Sequence, residues 1–208
     1  MFGRASRLDR ALDAFERRAW RRARRTLEDT APDERRAIGD YHLGVLYWRG
    51  LGGKRDAEGA ARCFSSAAEA GHPAAETALG VALRSGVGAP KDNERARALF
   101  RSAAAAGDKD AMVQIATMCE PDDARRWLLR AAEQGHAPAM LHLADMIMRS
   151  EPIEALSWLY AAVTLSANDA ARKRAGALAR EMSAAEIDAA QRAGRVYAKD
   201  ILQRAQGR

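Results

Sequence analysis

The chain has 208 residues, 48% of them apolar and 30% charged, with a formal net charge of +6. This composition is typical of a globular chain that can bury a sizeable core, and it excludes intrinsic disorder. Ala, Leu, Arg and Glu dominate while aromatic residues make up only 6%. Because the dominant residues are good helix formers, an all-α fold is expected.

Cysteine content and the start of the chain predict a cytoplasmic location. Cys63 and Cys119 are the two cysteines. They are too few for a disulfide framework and have no metal-ligand spacing around them, so a reducing compartment is the simpler interpretation. Residues 1–7 contain neither an apolar run nor a cleavage site, and therefore predict no signal peptide. No stretch approaches the roughly 18 apolar residues of a membrane span.

Residues 1–33 are predicted to form an N-terminal basic helical segment. The segment lacks the usual turn glycine between two helices, so both one continuous helix and a hairpin are possible. Its apolar residues at helical spacing should face the rest of the fold: Leu8, Leu12, Phe15, Ala19, Ala23 and Leu27. Its arginines are crowded together: Arg17, Arg18, Arg21, Arg22, Arg24 and Arg25. We interpret them as a solvated outer face, with contact to an acidic partner, an anionic surface or nucleic acid as the alternative.

A repeat of 36 residues follows this segment, since Leu43-Gly44 returns as Leu79-Gly80 and the rest of the unit moves in register. The other matched positions are Gly50, Gly52, Asp56, Ala60, Phe64 and Gly71 in the first copy, and Gly86, Gly88, Asp92, Ala96, Phe100 and Gly107 in the second. Two shorter copies lack the glycine loop. The four repeats are placed at about residues 35–72, 73–108, 109–136 and 137–166, before C-terminal capping helices at about 167–208.

Each repeat is predicted to be a pair of helices, A and B, at about residues 34–49 and 56–70 in the first copy. Asp56 and Asp92 are expected to cap helix B, and the glycines at 71, 107 and 135 to end it in the left-handed conformation. All six prolines fall at turns or first helical positions. Gly44 and Gly80 are expected to face Ala60 and Ala96 and let the helices approach, while large side chains such as Phe64 and Phe100 fill the gaps between pairs.

This pattern resembles the Sel1-like repeat, a relative of the tetratricopeptide repeat. Leu43, Gly44, Tyr47, Gly50, Gly52, Asp56, Ala60, Phe64 and Gly71 carry the resemblance, and Leu83 replaces the tyrosine in the second copy. The resemblance implies an α-solenoid of stacked antiparallel helix pairs, with a concave surface lined by the A helices and capping helices at both ends. It further implies a scaffold or adaptor. The segment after Met182 is similar to the closing helix of the family, and Ser183 with Glu186 forms a capping box there.

No catalytic or metal-binding constellation is found in the sequence. The histidines at 42, 72, 136 and 142 recur at equivalent repeat positions and lack metal-ligand spacing. The glycine-rich stretch at residues 50–54 lacks the Lys-Ser/Thr ending of a phosphate loop. We therefore expect no enzyme activity and no cofactor.

Helix-A positions predicted to line the concave surface form a mixed apolar and polar stripe: Tyr41, Val45, Trp48, Thr77, Val81, Arg84, Val113, Thr117, Leu141, Asp145 and Met148. Such a stripe suits a peptide or helix of a partner. Because binding hot spots favour Trp, Tyr and Arg, we predict that Tyr41, Trp48 and Arg84, together with Asp145, contact a protein partner. The alternative is that these side chains only pack on neighbouring helix pairs.

Overall fold

The structure is a computed structural model that describes residues 6–207, apart from the side chain of Arg36. Residues 1–5 and 208 lie outside the described residues. They include most of residues 1–7, for which the sequence analysis predicted no signal peptide. Within the described range every regular element is an α-helix, as the sequence predicted. The helices are α1 (Arg7–Glu16), α2 (Trp20–Glu28), α3 (Pro32–Arg49), α4 (Ala57–Glu69), α5 (Pro73–Ser85), α6 (Asn93–Ala105), α7 (Lys109–Ala116), α8 (Pro121–Ala132), α9 (Ala137–Ile147), α10 (Pro152–Ser166), α11 (Asp169–Ala179) and α12 (Ala184–Gln206).

The chain divides into two compact units, residues 1–111 and 112–208, and the division falls within α7. In the first unit α1 packs on α2, α3 on α4 and α5 on α6. These pairs are joined in series, because α2 also contacts α3 and α4 contacts α5. The first two pairs enclose a buried cluster of Ala11, Ala14, Ala23, Leu27, Leu43 and Leu46. Contact between neighbouring pairs is therefore what hides their apolar stripes.

Local signals set these helix ends where the sequence predicted them. The Asp56 carboxylate accepts from the backbone N–H of Gly59 at 2.8 Å, and the Asp92 carboxylate accepts from that of Arg95 at 2.9 Å. The glycines at 71, 107 and 135 have φ values of 79°, 97° and 79°, which confirms their left-handed conformation. Pro32 and Pro73 occupy first helical positions.

The space at Gly44 is filled by the aromatic ring of its own helix pair. A Cβ atom at Gly44 would lie 2.5 Å from Cε1 of Phe64, and one at Gly80 would lie 2.6 Å from Cε1 of Phe100. The rings of Phe64 and Phe100 thus lie against the glycines of their own helix pairs, a contact that the sequence did not predict. The expected approach of these glycines to Ala60 and Ala96 stays a prediction.

The glycine loops make contacts between successive pairs as well as closing each pair. Gly52 and Gly88 have φ values of 74° and 80°. A Cβ at Gly52 would lie 2.4 Å from the carbonyl oxygen of Trp20, and one at Gly88 would lie 2.1 Å from that of Ala57. Trp20 and Ala57 are each the first residue of the preceding B-type helix. The second glycine of each loop thus gives the loop room to rest on the preceding pair.

The N-terminal segment is a hairpin, which decides the alternative that the sequence left open. Helix α1 ends at Glu16, and Arg18 takes the left-handed conformation with φ 56° before α2 starts at Trp20. Ala19, expected to face the fold, is exposed, while Ala11 and Ala14 are buried in its place. The turn displaces Ala19 from the helical spacing on which that expectation rested.

In the second unit α10 is the central helix. It packs on α9, α11 and α12, while α8 packs on α9. The rings of Trp158 and Tyr197 lie 4.5 Å apart and join α10 to α12. The capping box of Ser183 and Glu186 starts α12 as predicted. Among residues 6–207, no helix combines the length and apolar character that a membrane span requires.

Candidate functional site

Five side chains of α3 and α5 form the candidate surface of the first unit: Tyr41, Val45, Trp48, Val81 and Arg84. We call them the helix-A surface. All five are half-buried, so each presents part of its side chain to solvent. Spacings of three, four and seven residues place the members from one helix on a common face.

Tyr41 is held by a ring stack against the start of the next A helix. Its ring lies 4.6 Å from the imidazole of His72, with an interplanar angle of 19°. His72 in turn caps α5, because its Nδ1 accepts from the backbone N–H of Ala75 at 3.3 Å. Burial, followed by the nearby Asp108 carboxylate, raises the pKa of Tyr41. Burial lowers the pKa of His72. A neutral tyrosine therefore stacks on a predominantly neutral imidazole at pH 7.

Trp48 and Arg84 occupy the same repeat position and make the same kind of contact. The Trp48 ring lies 6.5 Å from that of Phe64, and the Arg84 guanidinium lies 5.6 Å from the ring of Phe100. The guanidinium of Arg55 also lies over the Trp48 ring, 5.4 Å from its centre. Trp48 and Arg84 are thus positioned by their own helix pairs before any partner arrives.

Three of the other predicted members of the stripe are buried. Thr77 is only 7% exposed, and its hydroxyl donates to the Asp108 carboxylate at 3.0 Å. Val113 and Leu141 are 6% and 8% exposed and belong to the core of the second unit. The prediction assumed that equivalent positions are exposed in every repeat, which is wrong for these three residues. Thr117 and Met148, also in the second unit, are exposed.

Asp145, the fourth predicted partner contact, belongs to the second unit. Its carboxylate lies 3.4 Å from the guanidinium of Arg174 on α11, and both side chains are close to half-exposed. An exposed ion pair of this kind contributes little to stability. The structure thus gives Asp145 a local contact with α11 within the second unit.

The sequence analysis did not predict the polar contacts that serines of α4 and α6 make with acidic residues of α3 and α5. The hydroxyl of Ser66 donates to the Asp40 carboxylate at 2.5 Å, and that of Ser102 donates to the Glu76 carboxylate at 3.1 Å. Both the serines and the acids are 36 residues apart, so the repeat carried this signal. In the first copy Arg35 adds a buried ion pair to Asp40 at 2.6 Å.

Arg35 also joins the N-terminal hairpin to the first repeat. Its guanidinium donates to the backbone carbonyl oxygens of Leu27 and Thr30 at 3.4 and 3.2 Å, where α2 ends. Beside this network lies Cys63, whose pKa burial raises to about 11. The Cys63 thiol is therefore protonated and a poor nucleophile at neutral pH.

The predicted basic surface is not uniform. Arg24 is largely covered: its guanidinium lies 4.6 Å from the centre of the Tyr47 ring and donates to the carbonyl oxygen of Lys54 at 2.8 Å. Arg17 and Arg25 pair with Asp13 and Asp29 and remain more than three-quarters exposed. The other three, Arg18, Arg21 and Arg22, are exposed. The expected outer face thus holds for all but Arg24, which is part of the packing between α2 and the first repeat.

The carboxylate of Glu28 completes the contact of α2 with the first repeat. It accepts from the Tyr47 hydroxyl at 3.1 Å and from Arg24 at 2.9 Å. Burial and this hydrogen bond raise the pKa of Tyr47 to about 12. Across residues 6–207, no three His, Cys, Asp or Glu side chains are grouped so that they could hold a metal ion.

Packed helix pairs in series define the class of this protein as an α-solenoid. The family model of the Sel1 repeat matches residues 32–72, 73–108 and 121–136. The chain therefore carries Sel1 repeats over these residues. Such repeats are generally protein-interaction scaffolds and are typically non-catalytic.

Solved structures show the same fold. A Sel1 repeat protein from Oxalobacter formigenes aligns with a TM-score of 0.73 and 22% identity, covering 94% of this chain and 83% of that one. A protective antigen of uropathogenic Escherichia coli with an SLR fold aligns with a TM-score of 0.52 and 19% identity, covering 88% of this chain and 50% of that one. A comparison with curated protein sequences gives no significant match.

Proposed function

We propose that this protein is a non-catalytic scaffold whose helix-A surface binds a peptide or a protein segment of a partner. The observation that carries the proposal is the positioning of Tyr41, Trp48 and Arg84. Each is held by a ring contact within the first unit, yet each keeps part of its side chain exposed to solvent. Aromatic and arginine side chains that are positioned in advance lose little entropy on binding, which suits them as anchors.

The repeat supplies substitutions that remove the anchors and keep the fold. The second copy carries Thr77 at the position of Tyr41 and Arg84 at the position of Trp48. The variant Y41T/W48R therefore places in the first repeat two residues that the second repeat already accommodates. Substitution of the exposed Glu58 and Glu94 by glutamine, on α4 and α6, provides a control away from the helix-A surface.

The experiment is affinity capture of partners by the full chain, followed by quantitative mass spectrometry. Proteins bound through the helix-A surface should be retained by wild type and by E58Q/E94Q, and should be lost with Y41T/W48R and with R84A. Circular dichroism would check that all variants are folded. If every captured protein survives both Y41T/W48R and R84A, the assignment of the surface is wrong.

A second candidate function is binding of nucleic acid or an anionic surface through the N-terminal hairpin. Its support is the exposure of Arg18, Arg21 and Arg22, none of which has an ion-pair partner among the described residues. Electrostatic binding to nucleic acid weakens steeply as salt rises from roughly 50 to 200 mM, whereas capture by an apolar groove changes little. A salt titration of partner capture separates the two candidates.

Two further assignments stay predictions. One is the division into four repeats between terminal helical segments, in which α9 and α10 would be the last repeat. The other is the cytoplasmic location, which rests on the two free cysteines, Cys63 and Cys119.

A further inference from the structure

A cleft between α1 and α2 gathers positive charge at a place separate from the helix-A surface. It is lined by Arg7 and Arg10 of α1, by Arg22 and Thr26 of α2, and by Asp29. Its volume is about 480 Å³. The predicted run of arginines at residues 17–25 did not include Arg7 and Arg10 of α1, which line the same cleft as Arg22.

Helical spacing and one hydrogen bond build the cleft. Arg7 and Arg10 are three residues apart on α1, and Arg22 and Thr26 are four apart on α2, so each pair shares a helix face. The guanidinium of Arg7 donates to the carbonyl oxygen of Asp29 at 3.0 Å and joins the start of α1 to the end of α2. The opposite faces of both helices are buried, which fixes the orientation of the two lining faces.

Among the described residues, the charges that line the cleft are not balanced. Three guanidinium groups and one carboxylate leave a net charge of +2. The Asp29 carboxylate also lies 3.9 Å from Arg25, outside the lining. Among the described residues, Arg10 and Arg22 have no ion-pair partner. An anion in the cleft would relieve the repulsion between like charges that the single carboxylate of Asp29 leaves uncompensated.

We propose that this cleft binds the phosphate group of a phosphorylated side chain on a protein partner. A phosphate monoester carries a charge of about −1.5 to −2 at neutral pH, which matches the lining, and guanidinium groups bind its oxygens in bidentate pairs. The cleft is larger than a phosphate ion and leaves room for the segment that bears it. Nucleic acid fits less well, because none of the described residues that line the cleft carries an aromatic ring on which a base could stack.

Two charge-matched variants test the site. R10Q/R22Q removes two arginines of the cleft, and R18Q/R21Q removes two exposed arginines of the same hairpin outside it. All four side chains are exposed and unpaired among the described residues, so both variants should fold, which thermal melting would check. Arg7 is left in place because its hydrogen bond to Asp29 holds the hairpin together.

The assay is fluorescence anisotropy of the full chain with a labelled peptide that carries one phosphoserine among neutral residues. Controls are the same peptide with serine or with glutamate, inorganic phosphate as a competitor, and a single-stranded oligonucleotide. We expect wild type and R18Q/R21Q to bind the phosphopeptide within about twofold of each other, and R10Q/R22Q to bind it at least tenfold more weakly, as the loss of charge-assisted contacts requires. Inorganic phosphate should compete.

Three results would overturn the proposal. Wild type could fail to prefer the phosphopeptide over the serine peptide. The two variants could weaken binding equally, which would indicate a diffuse charge effect. The oligonucleotide could bind more tightly than the phosphopeptide and lose affinity in both variants, which would make the hairpin a nucleic-acid surface. None of these results bears on the helix-A surface, because neither variant changes a residue of it.

Discussion

Replacing Gly44 by alanine isolates the contact that sets the spacing of helices in the first repeat. The added Cβ would lie 2.5 and 2.6 Å from Cε1 and Cδ1 of Phe64, whose side chain is only 3% exposed. Ordinary carbon contacts are about 3.5–4.0 Å, so the ring or the helix must move by about 1 Å. The ring is enclosed and cannot turn away into solvent.

The expected magnitude follows from two opposing effects. Overpacking in a well-packed core costs about 1–3 kcal/mol. Alanine is favoured over glycine inside a helix by about 1 kcal/mol. With two ring atoms in the way, the upper part of the overpacking range applies, so G44A should lower the free energy of unfolding by about 1–2 kcal/mol. G80A, which meets Phe100 in the same way, should behave alike.

Gly176 supplies the matched control within α11. Nothing lies within 4 Å of a Cβ placed there, so G176A should raise stability by about 0.5–1 kcal/mol through helix propensity alone. Urea unfolding followed by circular dichroism gives the free energies. In the F64L background the cost of G44A should shrink, since the smaller side chain vacates the site. The reasoning is refuted if G44A is as stabilising as G176A.

Three further outcomes are expected from contacts that the repeat or the hairpin makes. R24A should lower the free energy of unfolding by about 1–2 kcal/mol, because it loses a ring contact and two hydrogen bonds, whereas the exposed R25A should change it by less than about 0.5 kcal/mol. R35M should cost about 3–5 kcal/mol in the same urea titration, because it leaves the carboxylate of Asp40 buried without its cation. Burial lowers the pKa of His72 below 6.5, so the unfolded chain binds a proton there more readily than the folded chain, and the wild type loses stability as the pH falls. H72D should therefore lose less thermal stability than the wild type between about pH 7 and pH 5.

Each of these predictions has an internal control. R35M/D40N should recover part of the stability lost in R35M, because it removes the uncompensated charge. For His72, aspartate is a fold-compatible substitution, since Asp108 caps the next A helix from the equivalent position by accepting from the N–H of Ala111 at 2.7 Å. An unchanged acid sensitivity in H72D, or equal costs for R24A and R25A, would contradict the structural account.

Much of the fold could be predicted from the sequence because its determinants are local and repeated. The caps at Asp56 and Asp92 and the left-handed glycines act within one helix end, so their meaning is visible in a few residues. The contact of Gly44 with Phe64 was not predicted, because spacing along a helix does not tell which side chain of the neighbouring helix lies nearest to the glycine.

The surfaces were harder to predict because their exposure depends on distant residues. Arg24 sits in a run of arginines that suggests a solvated face, yet Tyr47 and Lys54, far along the chain, cover it. Thr77 is buried and donates a hydrogen bond to Asp108, whereas the first repeat carries the half-buried Tyr41 at the equivalent position. Likewise the arginine cleft forms only because the α1–α2 turn brings Arg7 and Arg10 beside Arg22.

Site-specific photo-crosslinking tests the proposed scaffold function most directly. A photoreactive residue would replace Val45 or Val81 on the helix-A surface, and Glu58 or Glu94 in the control positions. We predict that positions 45 and 81 crosslink to the same partner, and that Y41T/W48R abolishes both crosslinks. Crosslinks that form at 58 and 94 instead, or that persist in Y41T/W48R, would contradict binding at the helix-A surface.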